Sequence, residues 1–240
     1  MSTNVIAIDG PSYVGKSSVA QALARLQGYT FVNTGHMYRS VAKLCMDNRV
    51  APEAREDVVR AARAAKIRFE SGTATFRTYV NGEDWTEKLD HDSIVLFASK
   101  IAVIPELRDH LTQLQRSYAR EQTIVMEGRD IGSVVFPDAV WKFYITASAD
   151  VRARRMFKMM TDAEKKAAGD YKKLLPKIDE LDEADRSRKI APLRRAEDAI
   201  VYDNSDSPEA MQDALILQYY ITHGAEVVEN AALLARRVEA

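Results

Sequence analysis

The segment Gly10-Pro11-Ser12-Tyr13-Val14-Gly15-Lys16-Ser17 fits the pattern G-x-x-x-x-G-K-[ST]. It follows a short apolar run, Val5-Ile6-Ala7-Ile8, and precedes a segment with apolar residues at Val19, Leu23 and Leu26. An apolar run without alternation suits a strand buried on both faces of a parallel sheet, and the three-to-four spacing suits a helix packed on it. A glycine-rich loop in that context wraps a phosphate with its backbone N–H groups, aided by the positive end of the helix. Lys16 is placed to reach β and γ phosphates and Ser17 to ligate Mg²⁺, and Ser18 is expected to bind the nucleotide together with the loop residues Gly10 to Ser17. Such a loop implies that a nucleoside triphosphate binds, without separating a kinase from a GTPase or a motor. No N-K-x-D guanine-reading motif is present.

The rest of the chain extends an α/β pattern. Strands are expected at 29–32, 123–126, 141–145 and 199–202, with helices at 18–26, 37–46, 93–103 and 106–120 and a last helix after a turn at 203–208. The alternating stretches at 66–69 and 75–80, with Asn81-Gly82 as a turn, point to a small β insertion within 67–89. Residues 151–188 are highly charged and helix-forming, punctuated by Gly169 and Pro176.

Composition excludes several function classes. The 34 Lys and Arg nearly balance the 35 Asp and Glu, so no global field would hold the chain on nucleic acid or an anionic membrane. Positive charge for phosphates must therefore be local. Cys45 is the single cysteine, which rules out an intrachain disulfide and suits a reducing compartment such as the cytoplasm. The start shows neither a signal-peptide pattern nor a span-length apolar run. His91, His110 and His223 lack metal-ligand spacing. A monomer is expected, because nothing marks an interface.

Other clusters fall where strand ends would bring them over the loop: Asn33-Thr34-Gly35-His36-Met37-Tyr38-Arg39, Glu127-Gly128-Arg129-Asp130-Ile131-Gly132, and Asp185-Arg186-Ser187-Arg188. Ligands of open α/β sheets bind beyond the carboxyl ends of the strands, and arginine forks suit phosphate oxygens.

With Ile8-Asp9-Gly10-Pro11-Ser12, Thr34-Gly35, Met37-Tyr38-Arg39, the run from Gly128 through Asp130 to Ala139, and Ala191-Pro192-Leu193, the sequence resembles the bacterial cytidylate kinases nearly end to end. The resemblance implies a nucleoside monophosphate kinase fold, a three-layer α/β/α P-loop core (1–65, 118–155, 191–240) with a monophosphate-binding insertion at 66–117 and a helical lid at 156–190. It implies ATP as donor, with Mg²⁺, and CMP or dCMP as acceptor. By that likeness Ser99, Arg108 and Asp130 read the cytosine ring, and Arg39, Arg129 and Arg188 hold the CMP phosphate. Asp185 would meet the ribose, Thr34 and Tyr38 line the pocket, and Arg155 touches ATP phosphates beside Arg154.

The chain departs from the family pattern at Asn33 (usually Asp), His36 (small), Asp90 (Arg), Leu181 and Ala184 (both Arg). Those departures keep two alternatives open: a kinase for another acceptor such as UMP or AMP, or a catalytically weakened nucleotide-binding regulator.

Overall fold

The computed structural model describes residues 2–71, 75–206 and 209–224. Parts of the expected terminal features, at 207–208 and 225–240, lie outside the described residues. Strand β1 (Ser2–Asp9) runs into the glycine-rich loop and helix α1 (Lys16–Gln27). The helix begins earlier than its apolar spacing suggests, because Gly15 takes a left-handed conformation (φ 89°) that turns the chain directly into Lys16. Gly28, also left-handed, ends α1 as expected, its N–H directed at the Ala24 and Arg25 carbonyls.

Strand β2 (Thr30–Asn33) leads without a linker into α2 (Thr34–Asp47), followed by α3 (Arg55–Ala64). Asn33 makes the abrupt start of α2 possible by accepting a hydrogen bond from the His36 N–H at 3.1 Å. The small insertion is an antiparallel sheet of β3 (Ile67–Ser71), β4 (Phe76–Val80) and the two-residue β5 (Glu83–Asp84). Asn81 and Gly82 both have positive φ (52° and 89°), the conformation a tight hairpin turn demands.

Helices α4 (Asp92–Ile101) and α5 (Pro105–Glu121) then return the chain to the core. Strand β6 (Ile124–Gly128), a π-helical turn at Ile131–Val135 and strand β7 (Ala139–Thr146) follow. The charged segment divides into α6 (Ala149–Met159), α7 (Asp162–Ala168), a 3-10 turn (Tyr171–Leu174) and α8 (Leu175–Arg186). A break the charge pattern did not announce lies before α7, where Thr161 and Glu164 form a reciprocal capping box. Strand β8 (Ile200–Asp203) and α9 (Ala210–His223) complete the described chain.

The main sheet is parallel with order β2-β6-β1-β7-β8. Successive β1 side chains serve opposite faces, as strand geometry requires. Val5 and Ala7 join Met37, Val41, Leu107 and Leu111 in one buried cluster, while Ile6 and Ile8 join Val19, Leu23, Phe143 and Leu217 in the other. Two apolar layers sandwiching one sheet make a three-layer α/β/α core. Cys45 is fully buried within the first of them. Among the described residues no helix is long and apolar enough to cross a membrane.

Candidate active site

The parallel sheet delivers the carboxyl ends of β1, β2 and β6 to one edge, side by side, with Asp9 in register with Gly128 and Asn33 with Glu127. The loop 10–17, the start of α2 and the segment 127–132 therefore meet there.

The glycine-rich loop is fixed from below. A Cβ at Gly10 would lie 2.0 Å from the Ile145 carbonyl oxygen, so only glycine lets the loop cross β7. Tyr13 sits at φ 62°, a conformation an aromatic residue seldom takes, while Val14 is wholly buried. The Val14 carbonyl accepts from Arg155 Nη1 at 2.9 Å and Asn204 Nδ2 at 2.7 Å. Arg155 thus braces the loop backbone, and the neighbouring Arg154 instead stays on the exposed face of α6, paired with Asp150.

Lys16 is 5% exposed and folds over the loop to donate to the Pro11 carbonyl at 2.6 Å. Burial first, and then the Arg129 charge, pull its ammonium down to about 7. A bound polyphosphate supplies the opposite charge that keeps such an ammonium protonated. The Ser17 hydroxyl donates to Glu127 Oε1 at 2.9 Å, so Glu127 orients it. Among the described residues there is no group of three or more His, Cys, Asp or Glu positioned to hold a metal. A single hydroxyl fits Mg²⁺, which keeps several waters and takes most other oxygens from substrate phosphates.

Arg129 reaches across from β6. Its Nη2 donates to Ser12 Oγ at 2.9 Å, and its Nε donates to Asp185 Oδ2 at 2.7 Å. Asp185 also accepts from Arg188, so one carboxylate aligns two guanidinium groups beside the loop. Burial opposes ionisation of Asp185, yet Arg129 and Arg188 outweigh it and hold the carboxyl below the usual range. Arg39 lies at the rim, ion-paired to the exposed Asp90; Asp90 is also 3.7 Å from His36 Nε2. His36 is buried, with Nδ1 2.8 Å from Thr78 Oγ1, which makes it a packed residue of the insertion boundary.

On the acceptor side Arg108 and Asp130 form a buried ion pair. Arg108 Nη2 donates to Asp130 Oδ2 at 2.6 Å and Nη1 donates to the Ala102 carbonyl at 3.1 Å. The guanidinium also stands 5.7 Å from the Tyr38 ring centre. Burial, the largest influence, pushes the Tyr38 hydroxyl up to about 12, so it stays protonated. Thr34 donates to the Glu127 carbonyl at 2.8 Å, and a Cβ on Gly128 would come within 2.7 Å of that hydroxyl. Ser99 lies exposed on α4 and is not hydrogen-bonded to Arg108 or Asp130.

Several contributors carried no role in the sequence reading. Arg152, 4% exposed, donates through Nε to the Ser12 carbonyl at 2.8 Å and through both Nη atoms to Asp182, at 2.8 and 2.5 Å. Arg152 thereby ties Asp182 of α8, thirty residues further along the chain, to the loop. Asn204 and Glu127 both stand at the carboxyl ends of strands, a position that was the available signal for them. Leu181 is partly buried and Ala184 exposed, so neither adds charge to the arginine set.

Comparison with known proteins bears on this arrangement. Residues 6–220 match the family model described as cytidylate kinase. The chain is 40% identical over 233 residues to a protein named cytidylate kinase from Mycobacterium avium, an alignment covering 97% of this chain and 98% of the relative. It is 37% identical over 221 residues to one of the same name from Caldicellulosiruptor bescii, covering 90% and 96% respectively. A third, from Caldanaerobacter subterraneus subsp. tengcongensis, is 39% identical over 204 residues, covering 85% of this chain and 88% of the relative. The chain therefore belongs to the cytidylate kinase family.

Proposed function

We propose that this protein transfers the γ-phosphoryl group of ATP to CMP or dCMP, giving ADP and CDP or dCDP. The observation that carries the reading is the buried Arg108–Asp130 pair standing beside the Arg129–Asp185–Arg188 cluster, itself hydrogen-bonded to the glycine-rich loop. Cytosine presents an amino group that a carboxylate accepts from, and N3 and O2 acceptors that a guanidinium donates to. Uracil presents a carbonyl where cytosine has its amino group, and Asp130 would then face an acceptor.

The chemistry follows from position. A CMP phosphate oxygen attacks the γ-phosphorus while the bond to the β,γ-bridging oxygen breaks and ADP leaves. No general base is required, because the attacking oxygen is already anionic, and catalysis reduces to alignment and charge neutralisation. In this reading Lys16 and the loop amides hold the ATP phosphates, with Ser17 on Mg²⁺, which when bound neutralises phosphate charge. Arg129, Arg188 and Arg39 hold the CMP phosphate in line, Asp185 meets the ribose, and Thr34 and Tyr38 line the pocket. Ser99 would reach cytosine from α4, and Arg155 would brace the loop on the ATP side. Residues 66–117 serve as the monophosphate-binding insertion and 156–190 as the lid, on the core of 1–65, 118–155 and 191–240. Closure of that lid excludes water that would otherwise hydrolyse ATP.

Steady-state ADP release with Mg-ATP against CMP, dCMP, UMP, AMP and GMP tests the proposal. The expected result is turnover with CMP and dCMP and a kcat/KM at least about a hundredfold lower with UMP. A preference for UMP or AMP reassigns the acceptor, and no turnover with any of the set supports a nucleotide-binding regulator instead.

A further inference from the structure

Asp9, the last residue of β1, immediately precedes the glycine-rich loop and is 4% exposed. Its Oδ1 accepts from the Ile131 N–H and its Oδ2 from the Gly132 N–H, both at 2.8 Å. Those N–H groups open the π-helical turn that follows Asp130, and the first N–H groups of a helical turn need an acceptor from outside it. Asp130 occupies the capping position but makes no capping bond, its carboxylate being turned to Arg108. The cap comes instead from another strand, which leaves the Asp130 carboxylate to Arg108.

We propose that Asp9 is a positioning residue for base selection, clamping the turn that aims Asp130 and Arg108 and so anchoring the acceptor-base wall to the root of the glycine-rich loop. The proposal rests on the reading of the protein as a CMP kinase. The turn has little freedom to compensate for a lost clamp. A Cβ on Gly128 would stand 2.7 Å from Ile131 Cδ1, so the segment is already packed against itself. A clamp of this form is strongest with both oxygens free of hydrogen, because two N–H donors face one carboxylate. An amide or a protonated carboxyl puts a donor against one of them.

Burial is the largest influence on Asp9 and raises it to about 7, against the pull of the two backbone N–H groups; the Asp130 charge raises it further and Lys16 lowers it. Arg129 and Tyr144 also sense its charge. Proton uptake as pH falls through about 7 therefore weakens the clamp.

The test compares wild type with Asp9→Asn, in KM and kcat for CMP and UMP from about pH 6 to about pH 8.5, with a melting curve for each protein. At the alkaline end the variant should show a CMP KM about tenfold higher, as loss of one charged hydrogen bond gives, and a CMP-over-UMP preference reduced to match. Its ATP KM should change less than its CMP KM, because both hydrogen bonds of Asp9 run to the 131–132 turn. As pH falls the wild-type CMP KM should approach that of the variant; titration of the substrate phosphate is common to both and cancels in the ratio. A folded variant with wild-type CMP KM and preference at high pH overturns the clamp, as does a ratio that does not change with pH. Should the variant fail to fold, the wild type decides, because a CMP-over-UMP preference that is flat with pH also overturns it. A wild type that turns over no CMP refutes the functional reading itself, and the clamp falls with it.

Discussion

Replacing Lys16 with alanine is expected to lower kcat for phosphoryl transfer at least about a hundredfold, because a preorganised charge at the reacting phosphates is removed. The side chain is buried and held by the Pro11 carbonyl, so its position over the loop is set before substrate arrives. Nothing nearby can substitute, since Arg129 is committed to Ser12 and Asp185. Lys16→Arg should rescue little, because a planar fork does not replace a compact ammonium packed against a single carbonyl. Rapid-quench single-turnover measurements check this directly. A chemical step within about threefold of wild type in Lys16→Ala would remove the residue from the mechanism.

Arg129→Ala should act on the other substrate. It removes the donor to Ser12 Oγ and one of the two guanidinium groups on Asp185, leaving that carboxylate with Arg188 alone. A weakly neutralised carboxylate would then stand beside the CMP phosphate. The CMP KM should rise more than about tenfold and kcat fall by about a hundredfold, while ATP affinity changes by no more than a few-fold. Isothermal titration with each nucleotide separates the effects. Loss of ATP binding with CMP binding retained would mean the two subsites had been assigned the wrong way round.

The legible parts of this chain were those where a local pattern has one physical meaning. The G-x-x-x-x-G-K-S loop, the apolar run of β1 and the Asn81-Gly82 turn each demand a backbone that little else satisfies, and each was found where expected. Helix α3 went unread because its buried face is Val58, Val59 and Ala62, too small a stripe to stand out in an alanine-rich stretch. Strand β5 has only two residues and exists through its pairing with β4, which no local pattern records.

Within the site, the resemblance drew attention to Arg129, Arg188 and Asp130 and also to their partners Asp185 and Arg108, but not to the residues that tie α8 to the loop. Arg152 and Asp182 looked like two more charges on solvated helices, and only the fold brings them into a buried fork on the Ser12 carbonyl. Asp9 was visible as part of a motif, yet its hydrogen bonds run to residues more than a hundred positions away. The departures at Asn33 and His36 turn out to have structural employment, one as the cap of α2 and the other packed against Thr78. Asp90 pairs with Arg39, so the rim of the acceptor side carries less free positive charge than the arginines alone would give.

On the proposed function, donor and acceptor occupy one crevice, with the loop and the Arg129–Arg188 cluster facing a single phosphate chain. Calorimetric titration with an adenosine–cytidine dinucleoside pentaphosphate tests it most directly. The expected result is one molecule bound per chain, tighter than either nucleotide alone, displaced by ATP or by CMP, and weakened by both Lys16→Ala and Arg129→Ala. Binding no tighter than ATP alone, or weakened by only one of the two substitutions, would contradict it.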